Sequence, residues 1–212
     1  MATRAIPPVE VYFRLGDELF RIGRLDDSES YFAQAQKLAP ASPLPYEGLG
    51  LLAADRDKPG DAVRELKQSL MLGSSNFLAH YVYASEQYKL TADSEGRYAP
   101  LKGDAAAEIR GELLKSIALM PNFGPSHELL GFFEMVQGEN LAQAEQHLQL
   151  AIQLEPENES YLFSLAQAQL MGREPAAAKR TLQPLLLPYV DADLREHAAE
   201  MIREIDRDSP AN

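Results

Sequence analysis

Apolar side chains recur along most of the chain at the three- and four-residue spacing of an amphipathic α-helix. No stretch sustains the alternation of apolar and polar residues that a half-buried strand requires, and β-branched residues are few. Alanine, leucine, glutamate and glutamine, which favour helix, are abundant. The pattern therefore predicts an all-α fold.

The helical pattern repeats along the chain. Four segments share a bulky residue in second place, a small residue three positions later and a closing residue five positions after that: YFAQAQKLAP (31–40), ELKQSLMLGS (65–74), ELLKSIALMP (112–121) and HLQLAIQLEP (147–156). The closing positions 40, 74, 121 and 156 are 34, 47 and 35 residues apart. A second recurring segment precedes each one and has a small residue at a fixed place, as does a weaker fifth copy: Gly16, Gly50, Ala84, Gly131 and Ala166.

Each repeat is predicted to be a hairpin of two amphipathic helices, which gives five hairpins in all. The small residues allow the two helices of a hairpin to approach closely. Gly23, Gly138 and Gly172 fall at the turn between the helices, where glycine easily supplies a positive φ. Asp26 followed by Glu29 has the pattern of a capping box at the start of a second helix. The closing proline ends a hairpin because it does not continue a helix.

The repeats predict the domain organisation of the chain. The expected bounds are an N-terminal extension (1–8), a repeat array (9–189) with units 9–42, 43–76, 77–123, 124–158 and 159–189, a C-terminal helix (190–206) and a tail (207–212). The C-terminal helix has one apolar stripe, formed by Leu194, Ala198, Met201, Ile202 and Ile205, and charged residues elsewhere. Such a helix is expected to cap the end of the array. The alternative is that it is the first helix of a sixth unit.

Residues 91–103, TADSEGRYAPLKG, are predicted to be an insertion between the two helices of the third hairpin. That unit takes 47 residues where the unit before it takes 34, and the excess of 13 equals the length of this segment. Its glycine, serine, proline and charged residues favour a surface loop. Tyr98 and Leu101 are the exceptions. They either pin the loop against the array or reach a ligand, and the alternative is a loop without a role.

The repeat closely resembles the tetratricopeptide repeat family. The first unit has the family's skeleton of aromatic, Leu-Gly, Gly, small, Phe, Ala and Pro positions as Tyr12, Leu15-Gly16, Gly23, Ser28, Phe32, Ala35 and Pro40. Ser28 departs from the usual alanine, which other units restore as Ala62, Ala144 and Ala178. The resemblance covers residues 9 to about 186. It implies a right-handed α-solenoid of about five hairpins whose first helices line a concave surface.

The resemblance, together with helix periodicity, implies which side chains line that surface. They lie one, five and eight residues after the opening residue of each first helix, and are called the groove positions: Phe13, Asp17, Phe20; Glu47, Leu51, Ala54; Tyr81, Ser85, Tyr88; Glu128, Phe132, Met135; Phe163, Gln167 and Leu170. Six of the fifteen are aromatic, three are acidic and none is basic. An apolar extended peptide or amphipathic helix with a basic residue is the expected ligand. Two alternatives are a register shifted by one residue, which makes these side chains core, and a groove filled by the C-terminal helix or by residues 91–103.

Composition excludes several other classes of function. The formal net charge of −12 argues against binding to nucleic acid or to an anionic membrane surface. The chain has no cysteine, so thiol chemistry and disulfides are absent. No apolar run approaches the ~20 residues that span a bilayer. MATRAIPPVE has no signal-peptide h-region. A cytoplasmic location is therefore expected, with a mature periplasmic fragment as the alternative.

The histidines and the known catalytic motifs give no sign of an active site. His80 and His127 occupy the opening packing position that Tyr12 and Tyr46 hold in the first two units, and His147 and His197 have no second ligand at i+4. No GxSxG, P-loop or GxGxxG is present. We therefore expect no metal, no cofactor and no enzyme activity. The predicted function is a protein-interaction scaffold, monomeric or weakly self-associating, that binds a protein or peptide. The alternative is a structural or regulatory module of a larger protein, such as an enzyme, that docks a sister domain.

Overall fold

A computed structural model describes residues 7–208, which form eleven α-helices, one turn of 3-10 helix (Gln183–Leu186) and no strand. The helices are α1 (Pro8–Arg21), α2 (Leu25–Leu38), α3 (Pro43–Asp55), α4 (Pro59–Met71), α5 (Phe77–Lys89), α6 (Asp104–Leu119), α7 (Gly124–Gln137), α8 (Leu141–Leu154), α9 (Ser160–Met171), α10 (Pro175–Leu182) and α11 (Ala192–Asp208). The all-α prediction is confirmed. Residues 1–6 of the predicted N-terminal extension and residues 209–212 of the predicted tail lie outside the described residues.

Consecutive helices pack as hairpins in two compact units. The first unit runs to Tyr98 and from Gly103 to Met120, and holds the hairpins α1–α2, α3–α4 and α5–α6. In this unit α2 also packs on α3, and α4 packs on α5. The second unit comprises 99–102 and the chain from Pro121 onward, and holds the hairpins α7–α8 and α9–α10 with α11. The five predicted hairpins are confirmed.

The bulky residue in second place of each repeat fills the space between helices. Phe32, Leu66, Leu113 and Leu148 are all at most 2% exposed. Glycine makes room for these side chains, since a Cβ added at Gly16 would lie 2.6 Å from the Phe32 ring. Contacts this short do not occur between real side chains, so the recurring small residue is required for the helices to pack at this distance.

Buried serines bond the second helix of a hairpin to the first. Ser28 replaces the usual alanine of the repeat and is fully buried, and its hydroxyl donates to the carbonyl of Gly16 at 2.8 Å. The Ser116 hydroxyl likewise donates to the carbonyl of Phe77 at 2.9 Å. A buried hydroxyl is tolerated when it is hydrogen-bonded, which explains why serine is accepted at these crowded positions.

The predicted capping box at the start of α2 is wrong. The N-cap residue of α2 is Arg24, and no side chain caps this helix end. Asp26 and Glu29 instead bind the guanidinium group of Arg56 at the end of α3, with N···O distances of 2.5 and 2.6 Å. The two carboxylates thus pair with a side chain of the next hairpin and do not cap the N-terminus of their own helix.

The glycine prediction for the hairpin turns is correct at two of three places. Gly23 and Gly138 have φ values of 76° and 69°, as expected. Gly172 has φ −71°, and the left-handed residue of that turn is Arg173, with φ 62°. The helix α9 ends at Met171, so Gly172 is the C-cap and the positive φ falls one residue later, on a side chain that adopts it at a cost.

α11 closes the C-terminal end of the second unit. Ala198 and Ile205 are buried, and Leu194, Met201 and Ile202 pack partly buried against the same cluster, which also contains Leu182 and Leu185. The apolar stripe of α11 therefore covers the last hairpin, as a capping helix does. None of the helices between residues 7 and 208 combines the length and the apolar character that crossing a bilayer demands.

Candidate functional site

The groove positions of the first unit lie on α1, α3 and α5, the first helices of its three hairpins. α1 contacts α3, and α3 contacts α5. On each helix, positions one, five and eight residues after the opening residue share one face. Seven of these nine side chains are half-buried: Phe13, Asp17, Phe20, Leu51, Ala54, Tyr81 and Ser85. This set combines aromatic, aliphatic and acidic groups that solvent partly reaches.

Asp17 is the accessible charge of this set. Its carboxylate pairs with Arg21 one turn along α1 at 3.2 Å, and the two side chains are 38% and 66% exposed. An exposed pair of this kind contributes little stability. Arg21 therefore does not prevent the Asp17 carboxylate from accepting another cation.

Glu47, another predicted groove residue, is buried by the next turn of the chain. Its carboxylate accepts hydrogen bonds from the Ser74 hydroxyl at 2.8 Å and from the Asn76 side-chain amide at 2.7 Å. Asn76 also caps α5 by accepting from the backbone N–H of Leu78. Glu47 thus holds the start of α5 in place, and its oxygens are occupied by the protein itself.

Tyr88, the last groove position of the first unit, is covered by the insertion. Tyr88 is 2% exposed, and the ring of Tyr98 stacks on its ring with centroids 4.4 Å apart and an interplanar angle of 25°. Burial, and to a smaller extent the neighbouring Tyr98, raises the pKa of Tyr88. At this position the structure corresponds to the alternative in which residues 91–103 fill the groove.

The insertion has local order of its own. The Asp93 carboxylate accepts from the backbone N–H groups of Glu95 and Arg97, both at 2.9 Å, and from the Arg97 guanidinium at 3.0 Å. The backbone hydrogen bonds lower the pKa of Asp93. A carboxylate bonded in this way closes a tight Asx-type turn.

Both ends of the insertion are also fastened. The Thr91 hydroxyl donates to the carbonyl of Tyr88 at 2.7 Å, at the end of α5. The backbone N–H of Leu101 donates to the side-chain oxygen of Gln137, on α7, at 3.1 Å. Leu101 is half-buried. The first bond fixes the start of the insertion to the end of α5, and the second fixes residue 101 within the second unit.

Tyr98→Ala is expected to loosen the insertion. Trypsin cleaves after Arg97 and Lys102, both exposed in this segment. Loss of the stacked pair removes about 1 kcal/mol of local stability and is expected to raise the cleavage rate at these two sites about fivefold. The measurement is limited proteolysis followed by mass spectrometry. Tyr189→Ala, at a tyrosine 74% exposed, is the matched control and leaves both rates unchanged. Equal rates for Tyr98→Ala and the unmodified chain would show that the tyrosine pair does not hold the loop.

All three groove positions of the fourth hairpin contact the core or a neighbouring helix. Met135 is 4% exposed in a cluster with Leu148 and Leu165, and Phe132 packs partly buried against it. The Glu128 carboxylate accepts from the Ser164 hydroxyl at 2.9 Å, and burial raises the pKa of this carboxyl above its ordinary range. Only Met135 of the three is buried, and Glu128 and Phe132 are half-buried like the groove positions on α1.

The groove positions of the fifth hairpin lie near α11. The ring of Phe163 meets that of His197 edge-on, with centroids 6.4 Å apart. Leu170 packs against the cluster that contains Ile205, and Gln167 is half-buried. In the second unit the capping helix therefore covers part of the predicted surface. Half-buried groove positions occur in both units, and the candidate site is the surface on α1, α3 and α5, where seven of them lie on three first helices that contact one another in turn.

Three of the residues that open a first helix, Tyr12, His80 and His127, pair with a side chain of the second helix of the same hairpin. The sequence analysis did not predict these partners. Each partner occupies first place of a recurring segment: Tyr12 packs on Tyr31 with ring centroids 6.0 Å apart, His80 meets Glu112 at 2.5 Å, and His127 meets His147 at 3.2 Å. The recurring segments begin at 31, 112 and 147, so comparing first places across repeats would have revealed the pairs.

The hydrogen bonds of His127 fix how its protons are placed. The distance from Nε2 to the carbonyl oxygen of Pro121 is 2.9 Å, and a carbonyl only accepts, so Nε2 carries a proton. In neutral His127, Nδ1 then accepts the proton that His147 Nδ1 donates. Burial, and then the proximity of His127, lowers the pKa of His147.

Stability is expected to fall when the pH drops from 7 to about 5.5. The pKa of His147 in the folded chain lies below its ordinary value of 6.5, so the unfolded chain binds the proton more tightly. Stability from this group is present above pH 6.5 and is lost as the pH falls toward the folded pKa, with a slope of at most about 1.4 kcal/mol per pH unit. Denaturant unfolding at several pH values measures the slope. His147→Gln should flatten it, and an unchanged slope in this variant would contradict the assignment.

The hydrogen bonds of Glu108 in the first unit are all made within the protein. Glu108 accepts from the Tyr83 hydroxyl at 2.6 Å, from Gln87 at 3.2 Å and from Lys67 at 3.2 Å. The Tyr83 hydrogen bond is the main reason that the pKa of Glu108 is lowered. Within residues 7–208, no group of three or more histidine, aspartate or glutamate side chains is arranged to hold a metal ion.

Comparison with known proteins gives a family match for the first hairpin. Residues 9–42 match the sequence model described as tetratricopeptide repeat. No protein of curated function matches the sequence.

Several solved structures share the fold of nearly the whole chain. YrrB, described as a TPR protein with an unusual peptide-binding site, is 15% identical with a TM-score of 0.71, over 89% of this chain and 90% of YrrB. TTC0263, a TPR protein of Thermus thermophilus, is 22% identical with a TM-score of 0.60, over 92% and 99%. The MamA protein is 18% identical with a TM-score of 0.65, over 97% of each chain. At these identities the likeness concerns the fold.

Proposed function

Because the chain is a tetratricopeptide helical-repeat protein, we propose that it is a non-catalytic interaction module that binds an apolar segment of a partner protein along α1, α3 and α5. The observation that supports this most is the set of half-buried groove positions on those helices, among them Phe13, Phe20 and Tyr81. Aromatic side chains bury large contact areas at low entropic cost and therefore often anchor bound peptides.

The charges of the same surface indicate a basic residue in the ligand. None of the groove positions is basic, and Asp17 is accessible on α1 beside the aromatic side chains. A lysine or arginine of the ligand replaces Arg21 at the Asp17 carboxylate at little cost, since the existing pair is exposed. The whole chain carries a net charge of −12, which favours encounters with a basic segment.

The insertion limits how far the ligand extends. Tyr98 already occupies the place above Tyr88, so the ligand contacts α1, α3 and the first turns of α5. Among similar proteins, YrrB is described as having an unusual peptide-binding site, which is consistent with a peptide as the ligand here.

Peptide selection tests the proposal without a known partner. A phage-displayed library of random peptides is panned on the unmodified chain, and the selected peptides are expected to combine aromatic or aliphatic residues with at least one lysine or arginine. Binding of a labelled selected peptide is then measured by fluorescence polarisation. Phe20→Ser is expected to weaken it about tenfold or more. Asp17→Asn is expected to weaken only the part of the peptide affinity that depends on salt concentration.

Tyr189→Ser is the matched control, because it removes an aromatic side chain, 74% exposed, outside the proposed site. It should leave the affinity unchanged, and circular dichroism should show equal helix content in all variants. Selected peptides that bind the Phe20→Ser variant as tightly as the unmodified chain would overturn the proposal.

A further inference from the structure

The first hairpin has an apolar surface that no described residue covers. Val11 and Leu15 of α1 and Ile22, its C-cap residue, are 41%, 45% and 67% exposed. They lie on the face of α1 opposite to the groove positions Phe13 and Phe20, since the two sets are separated by about half a helical turn. This surface is therefore distinct from the proposed peptide site.

The surface contains a groove of 420 Å³ between α1 and α2, called the end groove. Four of its seven lining residues are Leu15, Leu19, Ile22 and Tyr31. The other three are Glu18, Arg24 and Asp27. The Arg24 guanidinium binds the Asp27 carboxylate at 2.5 Å, so its charge is already balanced. The end groove is therefore lined mainly by apolar or aromatic side chains, and its one cation is already paired.

The second hairpin contains a copy of the end groove, and there the neighbouring helix α2 packs beside it. Each of the seven residues of the end groove, shifted by 34 positions, falls on a residue that lines a groove of 270 Å³ in the second hairpin: Leu49, Leu52, Ala53, Arg56, Lys58, Asp61 and Glu65. One wall of this second groove is the helix α2, through Glu29, Ala33 and Gln36. In the second hairpin, the surface that corresponds to the end groove therefore packs beside an α-helix.

The two grooves differ in the chemistry of their lining residues. In the second hairpin Arg56 is held by Glu29 and Asp26 of α2, and its side chain is only 20% exposed. The matching residue of the end groove is Ile22. At two further matching positions the end groove is also less polar or more bulky. It has Leu19 where the second groove has Ala53, and Tyr31 where the second groove has Glu65. The end groove thus matches the second groove in the positions of its lining residues, but it lacks the arginine that binds the acidic residues of α2.

We propose that the end groove binds an amphipathic α-helix of a partner protein. The bound helix has apolar residues at three positions, i, i+4 and i+7, which correspond to Glu29, Ala33 and Gln36 of α2. Specificity comes from Ile22, which accepts an apolar side chain where Arg56 requires a carboxylate. This inference does not depend on the proposed peptide site.

Two synthetic helices serve as probes. Both have the sequence of residues 25–38 with Phe32→Gln, which removes the side chain that α2 buries in its own hairpin, and both are stapled between positions 30 and 34, which are exposed in α2. The acidic peptide retains Asp26 and Glu29. The apolar peptide carries Asp26→Leu, Glu29→Leu and Gln36→Leu. Fluorescence polarisation measures the affinity of each for the full chain.

The unmodified chain is expected to bind the apolar peptide about tenfold or more tightly than the acidic peptide. Ile22→Arg recreates the residue of the second hairpin and is expected to reverse this preference, so that the acidic peptide binds more tightly. Since Ile22 is exposed, circular dichroism should show the variant folded. Equal affinities for the two peptides, or a preference that Ile22→Arg leaves unchanged, would overturn the proposal.

Two controls separate this site from the alternatives. Phe20→Ser, which disrupts the proposed peptide site, should leave binding of the apolar peptide unchanged, and a loss there would show that the peptide sits on the other face of α1. Sedimentation of the unmodified chain and of Ile22→Arg tests for a second copy as occupant. A dimer that Ile22→Arg dissociates would assign the end groove to self-association and overturn the partner-helix proposal.

Discussion

Replacing Phe32 with alanine is expected to lower the free energy of unfolding by about 3–5 kcal/mol. The ring is 2% exposed, and it lies between Gly16 of α1 and Gly48 of α3, where an added Cβ would come within 2.6 and 2.5 Å of it. The two flanking glycines have no side chains that could fill the cavity, and the Phe13 ring, with its centroid 5.6 Å from that of Phe32, also borders it. The loss is measured by denaturant unfolding followed by circular dichroism.

The flanking glycine supplies a sharper form of the same test. Gly48→Ala alone should destabilise the chain, because its Cβ meets the Phe32 ring. In the Phe32→Ala background the same change should be neutral or stabilising, because the ring is gone and alanine favours helix. Leu38→Ala, in the same helix but 56% exposed, is the control and should change stability by less than about 1 kcal/mol. Additive effects of Phe32→Ala and Gly48→Ala would contradict this packing.

Gly131→Ala is expected to destabilise the chain by about 1–3 kcal/mol, although alanine is the better helix former. A Cβ at Gly131 would lie 2.8 Å from the backbone oxygen of Ala144 and 2.8 Å from Leu148 Cγ. The backbone oxygen cannot rotate away, so the two helices of the hairpin must separate. Thermal and denaturant unfolding both measure the loss.

Gly111 is the matched comparison for this change. It also lies inside a helix, and nothing stands within 4 Å of the Cβ that alanine would add. Gly111→Ala is therefore expected to stabilise the chain by about 0.5–1 kcal/mol through helix propensity alone. Opposite signs at the two glycines would distinguish close helix packing from propensity, and equal signs would show that the hairpin α7–α8 is loosely packed.

The repeat pattern was sufficient to predict the packing of the hairpins. The bulky residues Leu66, Leu113 and Leu148 are fully buried because every copy of the unit places them against the same partner surface. One imperfect copy of the repeat predicts little, but several aligned copies together predict the turns and the helix pairs from sequence alone. The same regularity located the insertion, since 13 extra residues stand out against a fixed period.

Side-chain partners outside the repeat pattern could not be predicted in this way. Tyr98 has no counterpart in other units, so its stacking on Tyr88 depends on a loop conformation that periodicity does not encode. Asp26 and Glu29 fit a local capping rule, but the Arg56 side chain 30 and 27 residues away offers a stronger charged partner. Glu47 was assigned by its helical position, whereas Ser74 and Asn76 determine its role.

The helix that closes the C-terminal end has a consequence for polymerisation. Its outward residues are charged, as shown by the exposed side chains of Glu196, Glu200, Arg203, Glu204 and Arg207. Proteins grow into filaments when an apolar patch of one copy fits a different surface of the next copy. A copy that presents Ile22 to α11 would have to desolvate these charges, which is costly. The chain is therefore expected not to form filaments through contacts between the end groove and α11, even at high concentration.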